Sequence, residues 1–555
     1  MAAGGPRRRR QRVAVVGAGA AGLCAARHLA ARPAAFAPPV LFEAAARPGG
    51  TWVYGEGPPP PGGPPRAALY WGLRTNLPKE VMAFPDFPFA EELPSFLPHG
   101  EVLAYLERYA AASGVLPFIR FQQLVEDVSP AEGPGGGWTV TSRGLGAGGR
   151  RHTEHFDAVM VCTGHYSTPV VPHIPGLDTF TGQVLHSHEY RRPEPFAGRS
   201  VVLLGAGPSG VDLALELAPV ARSVTLSRRP PPVPGLPAAV TQAPPVRAAR
   251  AGTVLFADGT AADADVLLLC TGYAYAFPFL RPGALGLRVA RGLVAPLYRH
   301  LLPPRHPTLA LVGLCRHVCP FPFFHCQVLF FLAALAGACA LPPARRMLRE
   351  AAAELARHRA GGGRRRHFHR LGPAQWGYCE GLARLGGFAP LPPVLRSLYE
   401  EVGRSRQRDA GAYRRRRYRV LDAERWEVLS DGDGDGDGDK DGDKDGDGSG
   451  GGDRDGDGDR DGAGDKDGDK DGDGDGDGDW DGDGDGDEDW DGDWDGVWDS
   501  DGDEDGDSNG DWDKDGNSDG DADGDGDEDG DGDGDRDGDR DGDRDGDATT
   551  TTPVE

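Results

Sequence analysis

Cysteine and methionine are scarce in this chain: eight and four among 555 residues, and no two cysteines form a CxxC pair. Without such a pair, the redox dithiol that a disulfide reductase needs is absent. Cys162, Cys270 and Cys339 lie in apolar runs, the setting of reduced core residues and not of a disulfide framework. Cys315, His317, Cys319, His325 and Cys326 crowd one segment, but their spacing fits no standard zinc pattern, and no metal is expected there. Long apolar runs are missing too. The longest, residues 328–341, is 14 residues, short of the ~20 that span a bilayer, so it reads as a buried helix. No secretory leader is expected ahead of the body, because Arg7, Arg8, Arg9 and Arg10 run straight into a short strand pattern. These absences predict a cytoplasmic body with no membrane span, and leave peripheral membrane association open.

Charge is divided between two regions. Residues 431–555 carry 57 acidic and 10 basic residues, a net of −47, whereas residues 1–430 are net +20. The acidic segment is an Asp-Gly repeat that cannot bury a core, so it is expected to be a disordered tail. Its Asp-Gly-Asp-Gly runs lack the flanking helices and the bidentate glutamate of a calcium loop. Weak binding of cations or basic surfaces is the most it offers, and a translated nucleotide repeat would give the same pattern. The basic body has its arginines dispersed among Ala, Pro and Leu and carries no nucleic-acid motif, which argues against a nucleic-acid partner.

Two glycine-rich fingerprints are present. Gly17-Ala18-Gly19-Ala20-Ala21-Gly22 follows Val13-Ala14-Val15-Val16, and Gly205-Ala206-Gly207-Pro208-Ser209-Gly210 follows Val201-Val202-Leu203-Leu204. Each has a buried strand before it and an Ala/Leu-rich helix pattern after it. That is the context in which glycines let backbone approach a pyrophosphate at a helix N-terminus. Two such units predict two dinucleotides, and the fold class follows: α/β, with two Rossmann-type domains. After the first fingerprint, the strand Val40-Leu41-Phe42 ends in Glu43, 21 residues beyond Gly22, which suits a ribose hydroxyl. After the second, the strand Ser223-Val224-Thr225-Leu226 runs into Ser227-Arg228-Arg229. An acid there would repel a 2′-phosphate and arginines pair with one, so the second cofactor is expected to be NADP(H).

Other strands are expected at 138–140, 158–161 and 266–269, and an amphipathic helix at 102–112. Residues 343–430 read as helical and basic, with less chemistry.

Between the fingerprints lies Phe180-Thr181-Gly182-Gln183-Val184-Leu185-His186-Ser187-His188-Glu189-Tyr190-Arg191. It resembles the FxGxxxHxxxY(R) identifying sequence of the flavin-containing monooxygenases. The run TNLPKEVMAFPDFPF at 75–89 and the Thr271-Gly272-Tyr273 strand end are similar to the same family, over roughly residues 12–430. The acidic tail has no counterpart there.

The resemblance implies an FAD domain, 13–195 and 291–430, with an NADP domain inserted at 196–290, a disordered arm at 1–12 and the tail at 431–555. FAD would be held by Gly17, Gly19, Ala20, Ala21, Gly22, Glu43, Thr51 and Trp52. Thr75 and Asn76 would lie against both cofactors, with Asn76 holding the oxygenating intermediate. NADPH would be held by Gly205, Gly207, Pro208, Ser209, Gly210, Arg228 and Arg229. Gln327 would approach the flavin ring, while His186 and Tyr190 would couple the domains. The implied activity is an N,N-dimethylaniline monooxygenase-like one. NADPH reduces FAD, O2 gives a C4a-hydroperoxyflavin, and a small amine or sulfide takes the distal oxygen. A homodimer is left open.

Two other readings stand beside this one. A Baeyer–Villiger monooxygenase acting on ketones shares the architecture, but its identifying sequence carries Trp where Tyr190 stands. A polyanionic protein acting through its tail is of another class, separable by deleting residues 431–555.

Overall fold

A computed structural model describes residues 9–57, 63, 68–132, 136–146 and 148–429. The acidic tail and most of the expected N-terminal arm lie outside the described residues. Residues 9–12 of that arm are ordered: the Arg12 N–H donates to Asp157 (2.7 Å), the Arg12 guanidinium lies 4.5 Å from the Phe156 ring centre, and Arg9 pairs with Asp157. Residues 9–12 therefore belong to the body, because their arginines meet acids and an aromatic face on it.

The elements that position the site run in chain order. They are β1 (Val13–Val16), α1 (Ala20–Ala30), β2 (Val40–Phe42), α2 (His99–Ala112), β3 (Ile119–Arg120), β4 (Ala158–Val161), β5 (Gln183–His186), β6 (Ser200–Leu204), α3 (Pro208–Leu217), β7 (Ser223–Ser227), β8 (Val240–Ala243), β9 (Val266–Leu269) and β10 (Leu309–Leu311). Four helices follow: α4 (Pro320–Ala336), α5 (Ala344–Ala360), α6 (Gln375–Gly386) and α7 (Pro393–Arg408).

Two parallel five-stranded sheets result, in the orders β10-β4-β1-β2-β3 and β8-β7-β6-β9-β5. Strands β1, β4, β6 and β9 are buried along their whole length, which is why they read as unbroken apolar runs and not as alternations. Each unit also carries a three-stranded antiparallel sheet, inserted in the chain between β3 and β4 in the first and between β8 and β9 in the second.

The edge strands show what local pattern leaves out. A domain boundary at 195/196 falls after β5, yet β5 pairs with β9 in the second sheet (Leu185 opposite Leu268). Likewise β10, far along the chain, completes the first sheet by pairing with β4. The second unit therefore begins at about residue 183. A four-residue strand has no signal that names its sheet; pairing alone decides it.

The apolar run expected as one helix at 328–341 belongs to a helix that starts earlier and stops earlier. Pro320 occupies the first turn of α4, and Gly337 closes it at φ 77°, as proline and glycine do at these two ends. The segment Phe321-Pro322-Phe323-Phe324 is therefore helical. α4 packs on α1, and Leu23, Phe330 and Phe331 are fully buried in the core they share, each such side chain contributing roughly 1.5–3 kcal/mol.

Candidate functional site

Both fingerprints form the same turn. Gly17 and Gly205 sit at φ 101° and 106°, where a side chain is strained. A Cβ on either would also lie 2.7 Å from a strand-end carbonyl, that of Cys162 or Cys270. A Cβ on Gly22 would overlap the Gly17 carbonyl oxygen, and one on Gly210 would overlap that of Gly205. These glycines let helix and strand close on each other. Gly19 and Gly207 instead sit at the N-caps of their helices, where no side chain caps the helix, which leaves first-turn N–H groups for a ligand. That cradle suits a pyrophosphate twice over.

Around the first cradle, Ala20 and Ala21 are buried in the opening turn of α1. Glu43 is buried, its carboxylate accepting from the N–H groups of Ala18 (2.6 Å) and Ala45 (2.7 Å). Burial raises its carboxyl above the ordinary range, and these backbone donors oppose the shift. Glu43 thus braces the glycine turn, a role the sequence reading did not assign to it. Thr51 and Trp52 lie on a single turn at Gly50–Trp52, exposed and half-buried. A Cβ on Gly50 would come within 2.9 Å of Gly19 Cα, and the Gly49 N–H donates to the Ala18 carbonyl (3.0 Å). The structure therefore brings this turn against the fingerprint.

The second cradle opens into a pocket of about 350 Å³, lined among others by Gly207, Pro208, Arg228 and Asn76. A Cβ on Gly207 would meet nothing within 4 Å, so the space before it is free for a ligand. Ser209 is exposed at the start of α3. Arg228 is buried and its Nε donates to the Arg229 carbonyl (2.7 Å). Arg229, half-buried, is not among the lining residues.

Thr75 and Asn76 part company. Thr75 is buried and its hydroxyl accepts from the Leu97 N–H (3.0 Å); Asn76 is exposed in the pocket. Gln327 is fully buried, accepting from the Gly313 N–H (2.8 Å) and donating to the Tyr378 hydroxyl (2.9 Å), so both ends of its amide are engaged in the core. Tyr190 is buried, and His186 Nδ1 accepts from the His188 N–H (3.0 Å).

The sequence reading expected helices at the C-terminal end of the body but missed their part in the site. Residues 343–430, read as poor in chemistry, supply Arg406, Gln407, Ala410, Tyr413 and Arg414 to the pocket. Arg414 makes a bidentate pair with Asp212 on α3 (2.8 Å twice), and its Nε donates to the Thr75 carbonyl (2.9 Å). One side chain thus ties the segment of Asn76 to the second unit. Only the arginine-rich composition hinted at this.

Comparison with known proteins agrees with this geometry. Residues 10–233 and 230–370 match the family model for flavin-binding monooxygenase-like proteins. Flavin-containing monooxygenase FMO GS-OX5 of Arabidopsis thaliana is 36% identical over 393 residues, 67% of this chain and 84% of that protein. Among solved structures, S-allyl-L-cysteine S-oxygenase from Allium sativum is 35% identical with a TM-score of 0.68, covering 73% of this chain and 95% of that one. Tmm from Pelagibacter sp. strain HTCC7211 is 26% identical with a TM-score of 0.65, covering 73% and 92%.

Proposed function

This chain belongs to the flavin-binding monooxygenase-like family, whose cofactors are FAD and NADPH, and we propose that it oxygenates a soft nitrogen or sulfur on a small molecule at the expense of NADPH. When bound, the two cofactors supply the reducing equivalents and the activation of O2. The protein's share is to bind, orient and keep water out. The first cradle, with Gly17, Gly19, Gly22 and the brace of Glu43, takes FAD; Glu43 has lone pairs left for a ribose hydroxyl. The second cradle takes NADPH, with Ser209 donating to a phosphate and Arg228 meeting the 2′-phosphate. Thr51 and Trp52 lie along the first cradle, and Arg414 holds the Asn76 segment in register with the second.

The observation that carries this reading is Asn76. It comes from the first unit, yet its side chain lies exposed in the second unit's pocket with Gly207 and Arg228. Its amide can donate to a group held between the two cofactors without joining electron transfer. No nucleophile–base pair is required of the protein. Among the described residues no helix is long and apolar enough to cross a membrane.

Steady-state turnover tests the reading. Purified protein is expected to convert a thioether or tertiary amine to its oxide with one NADPH per product and one atom of labelled O2 incorporated. Asn76→Ala is expected to keep consuming NADPH while releasing hydrogen peroxide. Lactone formation from a cyclic ketone in place of sulfide or amine oxidation would replace it with a Baeyer–Villiger activity, and unchanged coupling in Asn76→Ala would remove that residue's role.

A further inference from the structure

His300, Cys315 and His369 are all buried, and their ligand atoms lie within 4.8 Å of one another. They come from three places: the turn after Tyr298, the segment after β10, and the loop before α6. We propose that this trio is a binding site for a divalent metal of the zinc class, clamping the C-terminal helical region to the first sheet.

The case rests on what stands behind each imidazole. His300 Nδ1 and His369 Nδ1 face each other at 3.0 Å. A tetrahedral zinc with bonds of about 2.0–2.1 Å to nitrogen would hold two such atoms about 3.3 Å apart, so a small opening suffices. To present both Nδ1 lone pairs, each ring must carry its proton on Nε2 and have an acceptor for it. Both acceptors are in place. His300 Nε2 is 3.2 Å from the Glu354 carboxylate, and His369 Nε2 is 3.1 Å from the Val294 carbonyl. A carboxylate or backbone carbonyl behind each ligating histidine is the usual support of a metal-bound imidazole.

Without a metal the same groups form a relay: the Val294 N–H donates to His369 Nε2 (3.0 Å), and His369 Nδ1–H to His300. His369 Nε2 reaches both polar groups of Val294, so the change of tautomer costs it no partner.

Two more observations agree. Arg299 and His300 lie at φ 54° and 49°, a left-handed conformation that non-glycine residues keep only where surroundings impose it. A cleft of about 150 Å³ lined by Arg299, Glu350 and Glu354 reaches the carboxylate behind His300 and offers an entry path. A second trio, Cys24, His28 and His325, lacks the support: His28 Nε2 faces His325 Nδ1 at 3.1 Å, but among the described residues no acceptor backs either ring.

Cobalt(II) titration of the full chain, with its thiols reduced and its flavin bound and oxidised, tests the site. The d–d bands of tetrahedral, thiolate-bound cobalt fall in the red, clear of oxidised flavin, and carboxylates of the acidic tail do not produce them. About one equivalent of cobalt is expected to give these bands, and zinc is expected to bleach them. Cys315→Ser is expected to abolish them and Cys24→Ser to leave them. Glu354→Gln is expected to weaken affinity about 10–100-fold. X-ray absorption of the zinc-loaded wild type needs no variant and is expected to give a sulfur shell near 2.3 Å and nitrogen near 2.0 Å. Absence of tetrahedral bands overturns the proposal; so does their loss in Cys24→Ser with retention in Cys315→Ser, or an all-oxygen shell.

Discussion

The two dinucleotide units are one device in two settings. Sheet order, strand–turn–helix and the position of each glycine correspond. Gly17 matches Gly205 in φ, and Gly22 matches Gly210 in the carbonyl it lets approach. Their surroundings differ. The first cradle is closed in: a Cβ on Gly19 would lie 3.5 Å from Gly50, nine of the eleven residues of α1 are buried, and Glu43 braces the turn. The second is open: Gly207 faces empty space and only four residues of α3 are buried. An enclosed cradle suits a cofactor that stays, and an open one suits a cofactor that arrives and leaves.

The largest effect expected is on the enclosed unit. Gly22→Ala drives a Cβ into the Gly17 carbonyl, and neither backbone can yield. Purified Gly22→Ala protein should lack flavin absorbance. Its counterpart Gly210→Ala should stay yellow and lose reduction by NADPH. Bleaching of both would show that the units fold as one.

The next effect is on the tie between them. Asp212→Ala leaves the Arg414 guanidinium unpaired, with about a sixth of the side chain exposed. Breaking a buried pair costs about 3–5 kcal/mol, so thermal melting should show a loss at or somewhat below that range. A melting temperature within a degree of wild type would mean that Arg414 finds solvent instead.

Smaller still is the separation of the two arginines. Arg228 lines the open pocket and Arg229 does not. Removing a charge-assisted contact of about 1.5–3 kcal/mol should raise the NADPH KM tenfold or more in Arg228→Ala, with the NADH KM unchanged. Arg229→Ala should leave the ratio of the two near wild type. The reverse ranking would place the 2′-phosphate elsewhere.

The smallest expected effect depends on pH. Glu216, on α3 against Gly72, has its carboxyl raised to about 7 from an ordinary 4.5, chiefly by burial. The folded state binds this proton more tightly than the unfolded chain. Its contribution is therefore full below pH 4.5 and is lost as pH rises through about 7. Glu216→Gln should raise the melting temperature at pH 8 and change little at pH 5. An equal gain at both pH values would exclude ionisation as the cause.

Much of the fold was legible because short buried strands and glycine turns are local signals. Residues 13–22 and 201–210 declare their geometry in ten residues each. The limits of that legibility are equally physical. β5 has no local mark that assigns it to the second sheet. α4 starts in the proline-aromatic run 320–324, ahead of the apolar run 328–341 that signals a helix in the sequence. Arg228 and Arg229 are neighbours with the same side chain, and only the strand's direction and its end at the pocket tell them apart.

The sequence by itself determined that this chain holds two strand–glycine turn–helix motifs, an acid after the second strand of one unit and arginines after that of the other. Each is a matter of spacing along a chain whose strand and helix periods are fixed. Tertiary structure alone decided which groups meet from afar. Arg414 crosses more than 300 residues to the Thr75 carbonyl, Asn76 of one unit enters the pocket of the other, and His300, Cys315 and His369 converge in the core. No spacing rule covers such meetings, because they are set by how layers pack and not by the distance between residues along the chain.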